Sequence, residues 1–137
     1  MVNLICGNKG SGKTSRIIEK ANADVKTAKG DCIFVNDTDR YMYDVDRNVK
    51  LIDITEYPVS GEDALLAFIC GLAASRSDLT NLYIDGASRI TGCGPDKMQK
   101  FYEELGRLAD KLAISVTVTV SATAEELPDF LLKYKII

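Results

Sequence analysis

Histidine is absent from the 137 residues, and no two of the four cysteines have CxxC spacing. Together these gaps exclude the usual zinc centres, which draw on paired cysteines and histidine. Long apolar runs are missing too. None approaches the roughly 20 residues of a membrane-spanning helix, so no membrane role is expected. No basic leader with an apolar segment behind it opens the sequence, and a cytoplasmic protein is expected. Positive charge is not in surplus: 17 Lys and Arg stand against 20 Asp and Glu, a net charge of -3. General nucleic-acid binding is therefore not expected. Repeats and low-complexity tracts are lacking as well. Cys6, Cys32 and Cys70 lie inside apolar runs and read as reduced core residues, with Cys93 set apart.

What is present is ordinary globular material, 46% hydrophobic and 27% charged, enough for one domain over residues 1–137 with a sizeable core. Val2 to Cys6 reads as a strand and Thr14 to Ala23 as a helix, with Ile17, Ile18 and Ala21 inward. Cys32 to Val35 is a continuous apolar run, a buried parallel strand, and Leu51 to Ile54 suggests another. Ser60 and Asp63 give a capping signature before a helix bearing Leu65, Leu66, Phe68, Ile69, Leu72 and Ala73. Asn81 to Asp85 is a clear strand. Pro95 opens a helix whose Met98, Phe101, Leu105, Leu108 and Leu112 step by three and four. Ile114 to Val120 alternates apolar residues with Ser115, Thr117, Thr119 and Ser121. Thr123 and Glu126 form a second capping box, and Tyr134 to Ile137 reads as a closing strand. Strand and helix alternate, which predicts a parallel sheet covered by helices. The Ser-Thr-Thr-Ser face fits poorly in a central strand, and predicts a thinly covered face or a place nearer an edge.

One stretch carries chemistry. Gly7-Asn8-Lys9-Gly10-Ser11-Gly12-Lys13-Thr14 fits GxxxxGK[ST], directly after an apolar strand and directly before a helix. Glycines let the chain take positive φ and bring its N–H groups against phosphate oxygens. The helix start adds unpaired amides and the positive end of a dipole, so Gly7 to Thr14 and the following Ser15 read as a triphosphate cradle. Lys13 supplies a point charge for the outer phosphates, and Thr14 a hydroxyl for magnesium. Asp85, ending the strand Asn81-Leu82-Tyr83-Ile84, can hold a magnesium-bound water opposite that threonine. Asp85-Gly86 is also a common turn dipeptide, so this assignment leans on the loop upstream.

With GNKGSGKT and NLYID as its Walker A and Walker B elements, the chain resembles the P-loop NTPase superfamily. The stretches IDGASRI and SATAEELPDFLLKY are similar to those of small bacterial ATP-binding P-loop proteins sometimes labelled as related to twitching-motility ATPases. The resemblance implies a three-layer α/β/α fold with a mainly parallel five-stranded sheet and a RecA-like strand order. There another strand separates the loop strand from the Walker B strand. It also implies ATP, or another nucleoside triphosphate, with Mg2+ as the bound species.

The glutamate that often follows the Walker B aspartate is Gly86 here, so the usual base for hydrolysis is missing. Asp37 or Asp39, just after the second strand, are the candidate replacements, with solvated loop carboxylates as the plainer reading. Ser121 ends a strand where related proteins sense the γ phosphate. Thr123 is better explained as a helix cap. Arg40, Arg47 and Arg89 are candidates for an arginine acting across an oligomer, against simple surface solvation. Asp37 to Lys50, with Tyr41 and Tyr43 among its charges, reads as a solvated hairpin or loop, or else as a partner surface. A slow ATPase or ATP-dependent switch, completed by a protein partner or a second copy, is the first expectation. A non-hydrolysing nucleotide-binding regulatory module is the second, and a small-molecule (nucleoside) kinase the third.

Overall fold

The computed structural model describes residues 1–137. Six segments become strands: β1 (Val2–Cys6), β2 (Asp31–Asn36), β3 (Val49–Asp53), β4 (Leu79–Ile84), β5 (Ser115–Val120) and β6 (Lys135–Ile136). They form one sheet in the order β3-β2-β4-β5-β1-β6, and every neighbouring pair is parallel. The expected count of five strands, mainly parallel, is corrected to six, all parallel. Lys135 and Ile136 find partners in Asn3 and Leu4, so the short closing segment counts as a strand of its own.

Four α-helices cover the sheet: α1 (Lys13–Asp24), α2 (Glu62–Ser75), α3 (Ala87–Thr91) and α4 (Gln99–Leu112). Alternation along each strand sends residues to opposite faces. Cys32, Phe34 and Tyr83 meet Ile17, Ile18 and Ala21 of α1 on one face. Ile33, Val35, Leu82 and Ile84 meet Leu65 and Ile69 of α2, Ile90 of α3 and Phe101 and Leu105 of α4 on the other. Each such fully buried side chain stabilises the fold by about 1.5–3 kcal/mol relative to exposure, before entropy is counted. None of the helices is long and apolar enough to cross a membrane.

Several local expectations need correction. The third strand spans Val49–Asp53, and Ile54 belongs to the 3-10 turn after it. Ser60 and Asp63 do not cap α2; Gly61 occupies the N-cap, and the Asp63 carboxylate instead accepts from Lys100 Nζ at 3.0 Å. Its neighbour Glu62 reaches across to α4, where Oε1 accepts from the Phe101 amide at 2.7 Å. That distant carboxylate replaces the local cap, which Met98 cannot supply. Pro95 opens only a 3-10 turn, with α4 proper starting at Gln99, and Leu112 ends exposed. Cys32 is buried, but Cys70 is exposed on α2 and is no core residue. The Thr123–Glu126 box is formed, yet it closes a single 3-10 turn.

In β5 the polar face takes neither expected form. The strand lies between β4 and β1, and Thr117 and Thr119 are buried. Asp37 to Lys50 is no hairpin, because β2 and β3 run parallel. It is a chain of turns clasped to α1: Asn22 Nδ2 donates to Asp44 O at 2.9 Å, and Asn22 Oδ1 accepts from the Asp46 amide at 2.8 Å. Val45 is buried between those two bonds, while Met42 and Tyr43 stand exposed.

Candidate functional site

In an all-parallel sheet the carboxyl ends of all strands lie along one edge, where ligand clefts of open α/β sheets form. Here that edge gathers the loop after β1, the residues after β4 and the end of β5. A cleft of about 640 Å³ is lined there by Lys9, Gly10, Gly12, Lys13, Thr14 and Ser15, together with Asp85 and Ser121. These residues come from three distant parts of the chain. Arg40, Tyr41 and Arg89 complete the wall.

The glycine loop has the backbone its sequence predicts. Gly12 holds the N-cap of α1 at φ 87°, a left-handed conformation that a side chain would strain. The amides of Gly10, Gly12, Lys13, Thr14 and Ser15 make no hydrogen bond within the chain. Helix starts leave such donors open, and here they stand on a loop facing the cleft. Lys13 folds back so that Nζ donates to Asn8 O at 2.9 Å. Partial burial holds the Lys13 pKa below the usual lysine value, against the pull of Asp85, and Arg89 depresses it further.

Asp85 is the fixed point of the site. It is only 2% exposed, and each carboxylate oxygen accepts from a threonine. Thr14 Oγ1 donates to Oδ2 at 2.9 Å, and Thr119 Oγ1 to Oδ1 at 2.7 Å. Thr119 also accepts from the Gly86 amide at 3.3 Å. One hydroxyl thus ties β5 to the turn after β4. The polar face of β5 was its signal in the sequence, although the spacing did not point to Thr119 in particular. Thr117, two residues earlier on the same face, has a buried hydroxyl without a partner.

The two candidate bases are placed differently. Asp37 is engaged by Arg89, whose Nε and Nη2 donate to its two carboxylate oxygens at 2.7 and 3.0 Å. Asp39 is exposed and lines a separate hollow beside β3 with Lys50, Asp53 and Tyr57. The end of β2 itself is Asn36, fully buried, whose Oδ1 accepts from the Asp37 amide while Nδ2 has no partner. Gly86 has φ 89°, and a Cβ there would lie 2.6 Å from Arg89 Nη2 and 3.0 Å from Asp37 Oδ1. A glutamate after Asp85 would be strained by the positive φ and would have to push the Arg89–Asp37 pair aside.

The donor set suits a phosphate-bound magnesium ion. Magnesium takes one or two protein oxygens together with phosphate oxygens and water, rather than a dedicated cage. Asp85 and the Thr14 hydroxyl offer such oxygens beside open amides and a lysine. No cluster of three His, Cys, Asp or Glu side chains forms anywhere in the structure, the cleft included. A scan against protein-family models matches none of them, and a search of curated proteins likewise finds no match.

Proposed function

We propose that the chain is a P-loop nucleotide-binding protein that takes ATP, or another nucleoside triphosphate, with magnesium, and acts as a slow ATPase or ATP-dependent switch. The observation that carries this reading is the pairing of Thr14 with Asp85 beside the open amides of Gly10 and Gly12 to Ser15. A turn that binds nothing has no need to bring a strand-end carboxylate to the first turn of a helix. The position of β5 between β1 and β4 further supports the RecA-like arrangement.

The loop amides would hold the phosphate chain, with Lys13 matching its outer charge. Thr14 and Asp85 would hold magnesium, directly or through water. When bound, the metal neutralises charge on the outer phosphates. Ser121, just past the end of β5 and flanked by residues that bond the Gly7 amide, offers a further hydroxyl to the cleft. No carboxylate directly follows Asp85 to take a proton from attacking water, since residue 86 is glycine, and Asp37 is held by Arg89 as long as no phosphate takes its place. Turnover by the chain alone is therefore slow, and a protein partner or second copy that supplies the missing group would speed it.

The same observation favours a second reading, a regulatory module that binds nucleotide without cleaving it. Calorimetry with each nucleoside triphosphate and magnesium, run beside a phosphate-release assay, separates the two. The first predicts binding heat with slow release of phosphate, and the second binding heat with none over hours. A folded protein giving neither heat nor a thermal shift at millimolar magnesium–ATP ends both.

A further inference from the structure

Four cations face the cleft, Lys9, Lys13, Arg40 and Arg89, against the single carboxylate of Asp85. Among them only Arg89 is ion-paired. Its partner Asp37 lies 52 residues away, in the loop after β2, and both carboxylate oxygens are engaged. The pair lies directly over Gly86, because a Cβ there would meet both its members. So the one paired guanidinium sits over the residue that follows Asp85, on the β4 side, while β5 lies between β4 and the strand that carries the glycine loop.

The Arg89 side chain is 57% exposed, and that of Asp37 20%. The pair is bidentate, the geometry in which a surface ion pair holds best, so only an anion that offers the fork more charge than the carboxylate displaces Asp37. A terminal phosphate carries more charge than a carboxylate and fits the same planar fork of donors.

We propose that Arg89 is the residue that distinguishes a nucleoside triphosphate from a diphosphate in this cleft, with Asp37 as the resting partner that the terminal phosphate displaces. The inference rests on the nucleotide reading above and deepens it. A phosphate chain anchored on the loop after β1 reaches the β4 side with its outermost group. A diphosphate ends short of Arg89 and leaves the pair with Asp37 intact.

Titrations of the full chain with magnesium–ATP and magnesium–ADP, followed by calorimetry, test it. In Arg89→Ala the affinity for ATP falls about tenfold while that for ADP stays within about twofold. In Asp37→Asn, where the guanidinium is no longer held, ATP binds about threefold to tenfold tighter and ADP is unchanged. Arg89→Lys, which keeps the charge without the fork, falls between wild type and alanine. An ATP-to-ADP affinity ratio that is the same in wild type, Arg89→Ala and Asp37→Asn overturns the role of Arg89, as does equal weakening of both nucleotides. If the wild type takes up neither nucleotide, the nucleotide reading falls and this inference falls with it. If it binds both with a fixed ratio, only the role of Arg89 is lost.

Discussion

Thr14 and Asp85, 71 residues apart in the chain, are joined by a 2.9 Å hydrogen bond from Oγ1 to Oδ2. The bond links the first turn of α1 to the end of β4 across the width of β5, which lies between their two strands. Replacing Asp85 by asparagine keeps the shape and removes the charge, and both hydroxyls can turn to suit an amide. The fold should persist, while magnesium should no longer tighten ATP binding. Affinities measured with magnesium and with a chelator decide this; a variant that still gains from magnesium as much as wild type refutes the metal role.

Thr119 and Thr117 share a strand and a face but have opposite fates, one hydroxyl bonded to Asp85 and the other unpartnered. Thr119→Val leaves one buried carboxylate oxygen without its donor and should destabilise by about 1–3 kcal/mol. Thr117→Val removes a desolvated hydroxyl that gains nothing, and should be neutral or stabilise by about 1 kcal/mol. Denaturant unfolding of both variants gives the comparison. Equal losses in the two would show that Thr119 has no special duty.

Gly86→Ala should cost about 1–2 kcal/mol, from the positive φ and the collision with Arg89 together. Gly86→Glu adds a carboxylate beside Asp85 and should still not accelerate phosphate release, since the backbone aims it into the Arg89–Asp37 pair. A marked gain in rate with an intact melting curve would contradict this geometry.

Lys13→Ala should lower ATP affinity by roughly one to two powers of ten, with a melting temperature close to wild type, because the ammonium serves the ligand rather than the core. The pH dependence has a definite sign. The folded apo pKa of Lys13 lies below the ordinary 10.5, so the native state sheds this proton at lower pH than the unfolded chain does. In the alkaline window between those two values the unfolded state holds more proton, and the lysine's contribution to apo stability rises with pH. Nucleotide affinity moves the other way: it falls as pH rises through that window, and Lys13→Arg, which stays charged, should flatten the fall. Binding isotherms from neutral to alkaline pH measure it.

The glycine loop and the strand-end aspartate could be read from residue types because both are local patterns: a fixed spacing, and a carboxylate after an apolar run. Strand–helix alternation was legible for the same reason, since period and turn residues act within a few positions. What escaped was set by distance. Glu62 caps a helix 39 residues away, and Arg89 finds Asp37 across 52. No spacing rule links such partners, because the sheet order brings them together. The closing strand, legible over Tyr134 to Ile137, keeps only Lys135 and Ile136, the two residues that pair with Asn3 and Leu4. Ser60 failed as a cap because a glycine at position 61 took the helix start.

The placement of β1 bears on the order of assembly. Val2 lies opposite Val116, and its other neighbour is formed by residues 135 and 136. Synthesis therefore produces the glycine loop well before residues 115–120 and 135–136, the two segments that flank the strand carrying it. Such long-range closure slows folding. Until it is complete, a nascent or truncated chain has no mouth to present to a nucleotide.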